Sequence, residues 1–244
     1  MKAISTQRPL GLTVLGIVAL SLFAVGAYLA LVYAPRDFVQ GDLIRIMFAH
    51  VPVAWVGFLA VIVTAIFGSL YLWLGRQRHD IVAVAAAESA LFFFALTMLG
   101  GMIYSRPTLG TFWTWDAKLT LTAIMFTLLV GYFIVRGLID DPERRGRVSA
   151  VIGLIVAASL PFNWMAAEWF RTLHPARAIV IDDGGVRTTM APIYLQILLF
   201  NVAVAALIFL YFVLERIRIG KLEAALQAAE DDRGLAGTTE VVRV

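Results

Sequence analysis

Residues 109–120 read Leu109-Gly110-Thr111-Phe112-Trp113-Thr114-Trp115-Asp116-Ala117-Lys118-Leu119-Thr120. This stretch, called the Trp-rich segment below, lies between two long apolar runs. It holds two indoles, a phenyl ring, a carboxylate and an ammonium group, which is more recognition chemistry than a connecting loop requires. We therefore interpret the rest of the chain as a frame that holds this segment at a membrane surface.

The composition indicates an integral membrane protein. Of the 244 residues, 61% are hydrophobic and 15% are charged, whereas a soluble domain is roughly 45–50% apolar and about 25% charged. Runs of about 20 apolar residues can cross a hydrocarbon core of roughly 30 Å. Six such runs are found, at 10–33, 53–75, 81–103, 119–139, 148–166 and 191–214. The predicted fold is an all-α membrane protein with six transmembrane helices and short interfacial helices on the exoplasmic side.

The basic residues orient these six spans. An even number of spans puts both termini on one side, and thirteen of the twenty Lys and Arg residues fall there. Because Lys and Arg accumulate in cytoplasmic loops, both termini are predicted to be cytoplasmic. Residues 1–214 then form a single membrane domain, and 215–244 form a cytoplasmic tail that is helical over 215–229 and disordered beyond it. The first run is longer than the apolar part of a cleaved signal peptide, so it is expected to remain as an anchor.

The outer side receives three long segments, at 34–52, 104–118 and 167–190. In the first, the spacing of Leu43, Met47 and His50 is that of one helical face. The pattern predicts a short interfacial helix that carries His50 on its apolar side, toward protein or lipid, and that ends before Pro52.

The other two outer segments add aromatic groups. A helical Trp-rich segment would place Phe112, Trp115 and Leu119 on one face. Pro161 is expected to kink the fifth span and redirect the residues after it along the membrane surface. That helix is expected to continue to Leu173 and stop at the pair 174–175, because a residue before proline avoids the α region. A turn is predicted over residues 182–185, which read Asp-Asp-Gly-Gly.

Two of the three histidines, His50 and His174, fall on the outer side, whereas His79 lies in an inner loop and is expected to be solvated. Histidine is the commonest metal ligand and the usual axial ligand of non-covalent heme. The chain has no cysteine, which excludes covalent heme attachment through C-x-x-C-H and a thiolate zinc site. We predict that His50 and His174 are metal ligands flanking an aromatic shelf.

A heme would need apolar faces, axial nitrogens and cations for its propionates. The predicted heme-contacting residues are His50, His174, Phe112, Trp113, Trp115, Asp116 and Trp169, with Arg106, Lys118, Arg171 and Arg177 as propionate partners. Each has a plainer interpretation. The tryptophans could form an interfacial belt, the cations could be ordinary loop charges, and Asp116 could cap the next helix. Glu88, the intramembrane carboxylate, is assigned to helix packing or a partner contact.

Three motifs carry a family resemblance. Residues 110–120 resemble the tryptophan-rich signature of the heme-handling membrane proteins of cytochrome c maturation. The pieces 45–55, Arg-Ile-Met-Phe-Ala-His-Val-Pro-Val-Ala-Trp, and 168–174, Glu-Trp-Phe-Arg-Thr-Leu-His, are similar to further parts of the same family. The chain departs from the usual signature at Leu109, Phe112 and Lys118, where the family has Trp, Trp and Arg.

The resemblance implies a function. It implies a protein that presents non-covalent, transiently bound heme b at the outer face of the inner membrane, with the Trp-rich segment as platform and two axial histidines. The expected recipient is a membrane-anchored periplasmic heme chaperone. Further expected partners are the permease and ATPase subunits of an ABC transporter and a small single-span membrane subunit. No nucleic acid is expected, and the only chemistry implied is assisted attachment of heme to the chaperone, so the protein is not predicted to be an enzyme.

Two other classes of function stay open at this point. A b-type electron-transfer cytochrome would place its histidines inside facing helices and would normally hold two hemes. A solute permease subunit would need a polar pathway through the bundle, for which Glu88 and scattered hydroxyl side chains are the only candidates.

Overall fold

The computed structural model describes residues 7–174, 179–182 and 185–241. Six helical segments in this part of the chain are long and apolar enough to cross a membrane, which confirms the predicted architecture. The elements are α1 (Leu10–Tyr28), a π-helical turn (Leu29–Tyr33), α2 (Ile44–Leu74), α3 (Gln77–Leu109), α4 (Ala117–Gly137), α5 (Pro142–Ala158), α6 (Leu160–Trp169), β1 (Ile179–Asp182), β2 (Gly185–Thr188) and α7 (Pro192–Val241).

The bundle is assembled around α2 and α3. These two helices form the most extensive contact in the structure; α2 also packs against α5 and α7, and α1 packs on α7. The interior is filled by aliphatic and aromatic side chains such as Val56, Phe94, Met125 and Leu129, each at most 2% exposed. Burial of these side chains fixes the helices relative to one another and so positions the loops at both ends.

Charged side chains join helices at the end that carries the termini. Arg136 of α4 makes a bidentate contact with Asp80 of α3, with Nη2 at 2.6 Å from Oδ2. Arg216 of α7 reaches Glu88 of α3 at 2.7 Å. The assignment of Glu88 to helix packing agrees with this ion pair. The prediction that His79 is solvated is wrong, because it is 7% exposed and its ring lies 6.3 Å from that of Phe67.

At the opposite end, the helices begin and end at different residues from those predicted. No separate interfacial helix precedes the second span in the described chain, because α2 begins at Ile44 and continues through Pro52. Proline is tolerated there because neighbouring helices in a membrane bundle compensate for the lost hydrogen bond. The Trp-rich segment is not helical over 110–116, since α3 ends at Gly110, with φ +76°, and α4 begins after Asp116. The predicted shared face of Phe112, Trp115 and Leu119 is therefore wrong.

The fifth span is divided as its proline predicts. It breaks at Ser159, and Pro161 lies in the first turn of α6. The helix ends at Trp169, with Phe170 in an extended conformation, and so stops four residues before the predicted end. Strands β1 and β2 pair antiparallel on either side of the predicted turn. The last helix, α7, runs beyond the 215–229 predicted for the tail, to Val241.

The contact between α2 and α5 depends on a glycine. A Cβ atom built on Gly146 would lie 2.5 Å from Cε1 of the buried Tyr71. We expect Gly146→Ala to destabilise the bundle by about 1–3 kcal/mol, the usual cost of overpacking. Thermal unfolding of the purified protein in detergent measures the effect. Gly131→Ala is the matched control, since its Cβ would meet nothing within 4 Å; equal melting temperatures for the two variants would contradict this packing.

Candidate functional site

His50 lies in the second turn of α2 and faces α3. It is half-buried, and it packs against Gly100 and Gly101, where a Cβ atom would lie 3.3 Å from Nδ1 and 3.1 Å from Cε1 of the imidazole. Two adjacent glycines therefore leave just enough room for this ring. Nδ1 of His50 is buried, and the imidazole lies close to the backbone of Thr97 in α3. His50 was predicted to point toward protein or lipid, and in the structure it faces protein.

The start of α2 is braced by Arg45. Its guanidinium donates hydrogen bonds to the carbonyl groups of Leu31 and Ala34, at the end of the first span, with Nη2 at 3.4 Å from the Ala34 oxygen. It also pairs with Asp42 at 3.1 Å. Since Arg45 precedes His50 by little more than one helical turn, these contacts tie the part of α2 that carries His50 to the end of the first span.

The Trp-rich segment is a tight loop between α3 and α4. Thr111 Oγ1 donates a hydrogen bond to the carbonyl of Trp113 at 3.0 Å. The indoles of Trp113 and Trp115 pack edge to face, with ring centroids 5.6 Å apart and planes at 77°. Trp115 is 77% exposed. The Trp113 Nε1 group is buried, and no acceptor in the described part of the chain lies within hydrogen-bond distance of it. One indole is thus fixed in the loop and the other is presented outward.

Asp116 joins three parts of the outer end. Its Oδ1 accepts a hydrogen bond from the backbone N–H of Leu119 at 2.9 Å and so caps α4. Its Oδ2 accepts from Thr114 Oγ1 and from the backbone N–H of Leu173, both at 3.2 Å. Burial alone would raise the pKa of this carboxyl group, but the hydrogen bonds from Leu119, Thr172, Leu173 and Thr114 together lower it. The carboxylate is therefore ionised at neutral pH, and its contacts weaken only in acid.

The loop after α6 carries His174. This side chain is exposed, and its backbone N–H donates to Thr172 Oγ1 at 3.1 Å. The neighbouring Leu173 is the residue held by Asp116. His174 is near enough to His50 for the two charges to influence each other. Two histidines separated by 124 positions in the sequence thus lie at the same end of the bundle, near the Trp-rich segment.

Lys118 ties α4 to α6. Its Nζ donates a hydrogen bond to the carbonyl of Asn163 at 2.7 Å and lies 5.9 Å from the centre of the Phe58 ring. Asn163 is fully buried, and its amide donates to Thr122 at 2.9 Å. Sequence reasoning missed Asn163, because a single asparagine in an apolar helix carries no recognisable pattern. The structure gives Lys118 a bracing contact in addition to its predicted role toward propionates.

The other predicted cations are more exposed. The guanidinium of Arg106 lies 5.4 Å from the centre of the Phe112 ring and donates to the carbonyl of Gly110. Arg171 lies exposed in the loop after α6. Arg177 lies outside the described residues. The structure thus brings Arg106 to the Trp-rich segment and Arg171 to the loop that carries His174.

Exposed aromatic rings cover this end of the molecule. Phe112, Trp115 and Trp169 are 55%, 77% and 56% exposed. Trp169 packs edge to face with Phe162 at 6.4 Å, and Phe162 is itself exposed. Phe162 was not predicted as a site residue, although its spacing of seven positions from Trp169 places both on one helical face. Exposed rings of this kind suit either the interface of a bilayer or the face of a flat apolar ligand.

These side chains fit a heme better than they fit a bare metal ion. They offer two imidazoles, an unpartnered indole N–H, aromatic faces and nearby cations, which correspond to the iron, the edge and the propionates of a porphyrin. Asp116 does not compete for the metal, because both of its oxygens are occupied by hydrogen bonds. The two histidines differ in their surroundings, since His50 is half-buried and His174 is exposed.

Comparison with known proteins identifies the family of the chain. The family model described as CcmC, heme exporter protein C, matches residues 5–231. The heme exporter protein C of Bradyrhizobium diazoefficiens is 37% identical over 168 residues, which are 67% of this chain and 62% of that protein. The heme exporter protein C of Escherichia coli K12 is 33% identical over 162 residues, 66% of this chain and 65% of that protein.

A third relative comes from a plant. The putative cytochrome c biosynthesis ccmC-like mitochondrial protein of Marchantia polymorpha is 32% identical over 175 residues, 71% of this chain and 74% of that protein. The matched part of this chain spans slightly less than two thirds of the two bacterial relatives. The family match nevertheless covers nearly all of the chain, including the Trp-rich segment and both outer histidines. The chain belongs to the heme exporter protein C family.

Proposed function

We propose that this protein handles heme in cytochrome c maturation, as a multi-pass transfer protein of the inner membrane and not as an enzyme in the usual sense. Heme b is its cargo, held non-covalently and transiently by His50 and His174. The observation that carries this proposal is that Asp116 holds the loop of His174 beside the Trp-rich segment, at the same end of the bundle as His50. The family and the names of its relatives support heme as the ligand.

The two proposed ligands differ in a way that suits transfer. His50 is half-buried and is held between Gly100, Gly101 and the braced start of α2. His174 is exposed in a short loop that is held by hydrogen bonds to Asp116 and Thr172. A neutral imidazole supplies the iron with a nitrogen lone pair. Because His50 is half-buried and His174 is exposed, the exposed side is where a recipient could replace His174 without dismantling the bundle.

The aromatic and cationic groups have separate roles in this proposal. Trp113, Trp115, Phe112 and Trp169 provide apolar faces for the porphyrin, and Arg106, Lys118, Arg171 and Arg177 attract its propionates. The proposed function does not require a polar pathway through the bundle, because these residues lie at its end.

The partners and the orientation belong to the same proposal. Both termini lie in the cytoplasm, so the heme surface faces the periplasm and meets a membrane-anchored heme chaperone. The ABC transporter permease and ATPase and a small single-span subunit complete the assembly. The excess of basic residues at the end of the bundle that carries the termini supports this orientation.

Removal of either histidine tests the ligand assignment. We expect His50→Ala and His174→Ala each to abolish the six-coordinate optical spectrum of the heme-loaded protein, because one axial nitrogen is lost. For His174→Ala, added imidazole is expected to restore the spectrum, since that position is exposed to solvent. His79→Gln is the control, as His79 lies at the other end of α3. An unchanged spectrum in both outer variants would remove these residues as ligands.

A second prediction concerns Asp116. We expect Asp116→Ala to lower stability by about 1 kcal/mol through loss of the helix cap and also to weaken heme binding, because the loop of His174 is released. Asp141→Ala is the matched control, because Asp141 caps α5 in the same way, accepting from the Arg144 N–H at 2.7 Å, but lies away from the site. Heme titration and thermal unfolding of both variants separate the two effects. Equal loss of heme affinity in the two variants would contradict the tethering role.

The depressed pKa of Asp116 gives a pH dependence. A carboxyl group whose pKa falls on folding stabilises the folded state above its unfolded pKa, and this contribution is lost as the pH falls through the folded value. We therefore expect the contribution of Asp116 to heme affinity to be constant through neutral pH and to decline only below about pH 4. Comparing the pH dependence of heme retention in the wild type and Asp116→Asn checks this. A difference between the two that changes between pH 6 and 8 would contradict it.

A further inference from the structure

A groove separate from the heme surface lies at the opposite end of the bundle, between α1 and α7. Its volume is about 400 Å³. The lining consists mainly of aliphatic side chains, with two cations at its end: Pro9, Gly11, Leu12, Leu15, Leu214, Ile217, Arg218, Lys221 and Leu222. Neither the proposed heme handling nor the packing of the other helices uses this groove.

The charge of the groove is positive. Lys221 is exposed, and Arg218 pairs with Glu215 at 2.7 Å. Glu215 also faces Arg8, with Nε of Arg8 at 3.5 Å. One carboxylate is therefore shared by two guanidinium groups, and the ammonium of Lys221 adds a further positive charge. An anionic group at this end of the groove would gain attraction from cations that Glu215 does not neutralise.

The position and shape of the groove favour a lipid. It lies where the first and last spans leave the membrane, so the aliphatic part can continue into the hydrocarbon layer. Basic pockets between transmembrane helices are known sites for anionic lipid headgroups.

The N-terminus of α1 also attracts an anionic group. Pro9 supplies no side-chain cap, and the first turn contains no acidic residue. Gly11 lines the groove, and a Cβ atom there would meet nothing within 4 Å. The positive end of the helix dipole is therefore not offset by a carboxylate of the first turn at the point where a phosphate would lie.

We propose that this groove binds one anionic phospholipid. The phosphate lies between Arg218 and Lys221, and an acyl chain lies along Leu12, Leu15 and Leu214. The lipid thereby fastens α1, which otherwise contacts mainly α7 and the π-helical turn, to the last span.

Native mass spectrometry of the delipidated protein tests the proposal. Phosphatidylglycerol and phosphatidylcholine of equal chain length are added in equal amounts. We expect one phosphatidylglycerol to be retained in preference to phosphatidylcholine. Lys221→Gln should reduce this preference about five-fold, the effect of one cation near a lipid surface, and Arg218→Gln/Lys221→Gln should abolish it.

The control variant removes two positive charges at positions outside the groove. Arg76 and Arg144 lie at the same end of the bundle, are exposed and do not line the groove. Arg76→Gln/Arg144→Gln should therefore retain the wild-type preference. Equal retention of the two lipids by the wild type, or an equal loss in this control variant, would overturn the proposal.

A photo-crosslinking residue in place of Leu15 identifies the occupant directly. In membranes we expect the crosslinked product to carry the mass of one phospholipid. A crosslink to a polypeptide would show that a protein fills the groove and would overturn the assignment. Melting temperatures of all variants, measured in parallel, exclude unfolding as the cause of lost binding.

Discussion

The outer end of this protein depends on the two oxygens of one carboxylate. Asp116 uses Oδ1 to begin α4 and Oδ2 to hold the backbone of Leu173. The first contact ends the Trp-rich loop, and the second brings the loop of His174 beside it. Asn163 of α6 also joins the two spans, through its contacts with Lys118 and Thr122 of α4, but Asp116 is the side chain that reaches the loop beyond α6. A single side chain thus converts two loops that are distant in sequence into one surface.

The two sides of the proposed heme surface are built differently. On one side, glycines 100 and 101 let α3 approach closely enough to enclose the ring of His50, and Arg45 fixes the start of the same helix. On the other side, His174 lies on an exposed loop. In the proposed function, the half-buried ligand retains the heme and the exposed ligand is the one that a recipient can replace.

The sequence predicts the spans well and the ends of the helices less well, for physical reasons. Span positions follow from hydrophobicity alone, because lipid requires long apolar helices. Helix ends depend on single residues: Gly110 and Asp116 interrupt what helical periodicity alone would continue, whereas Pro52 does not end α2, because tertiary packing outweighs its local preference. The burial of His79 could not be predicted, since it arises from contact with another helix. The outer histidines could be selected because they accompany aromatic and charged residues on the same side.

The central claim is that both outer histidines bind the same iron. Electron paramagnetic resonance of the ferric heme-loaded protein, compared with protein in which histidine carries ¹⁵N, tests it most directly. The account predicts a low-spin signal with hyperfine coupling to two imidazole nitrogens, one of which disappears in His174→Ala. A high-spin signal, or coupling to a single imidazole in the wild type, would contradict it.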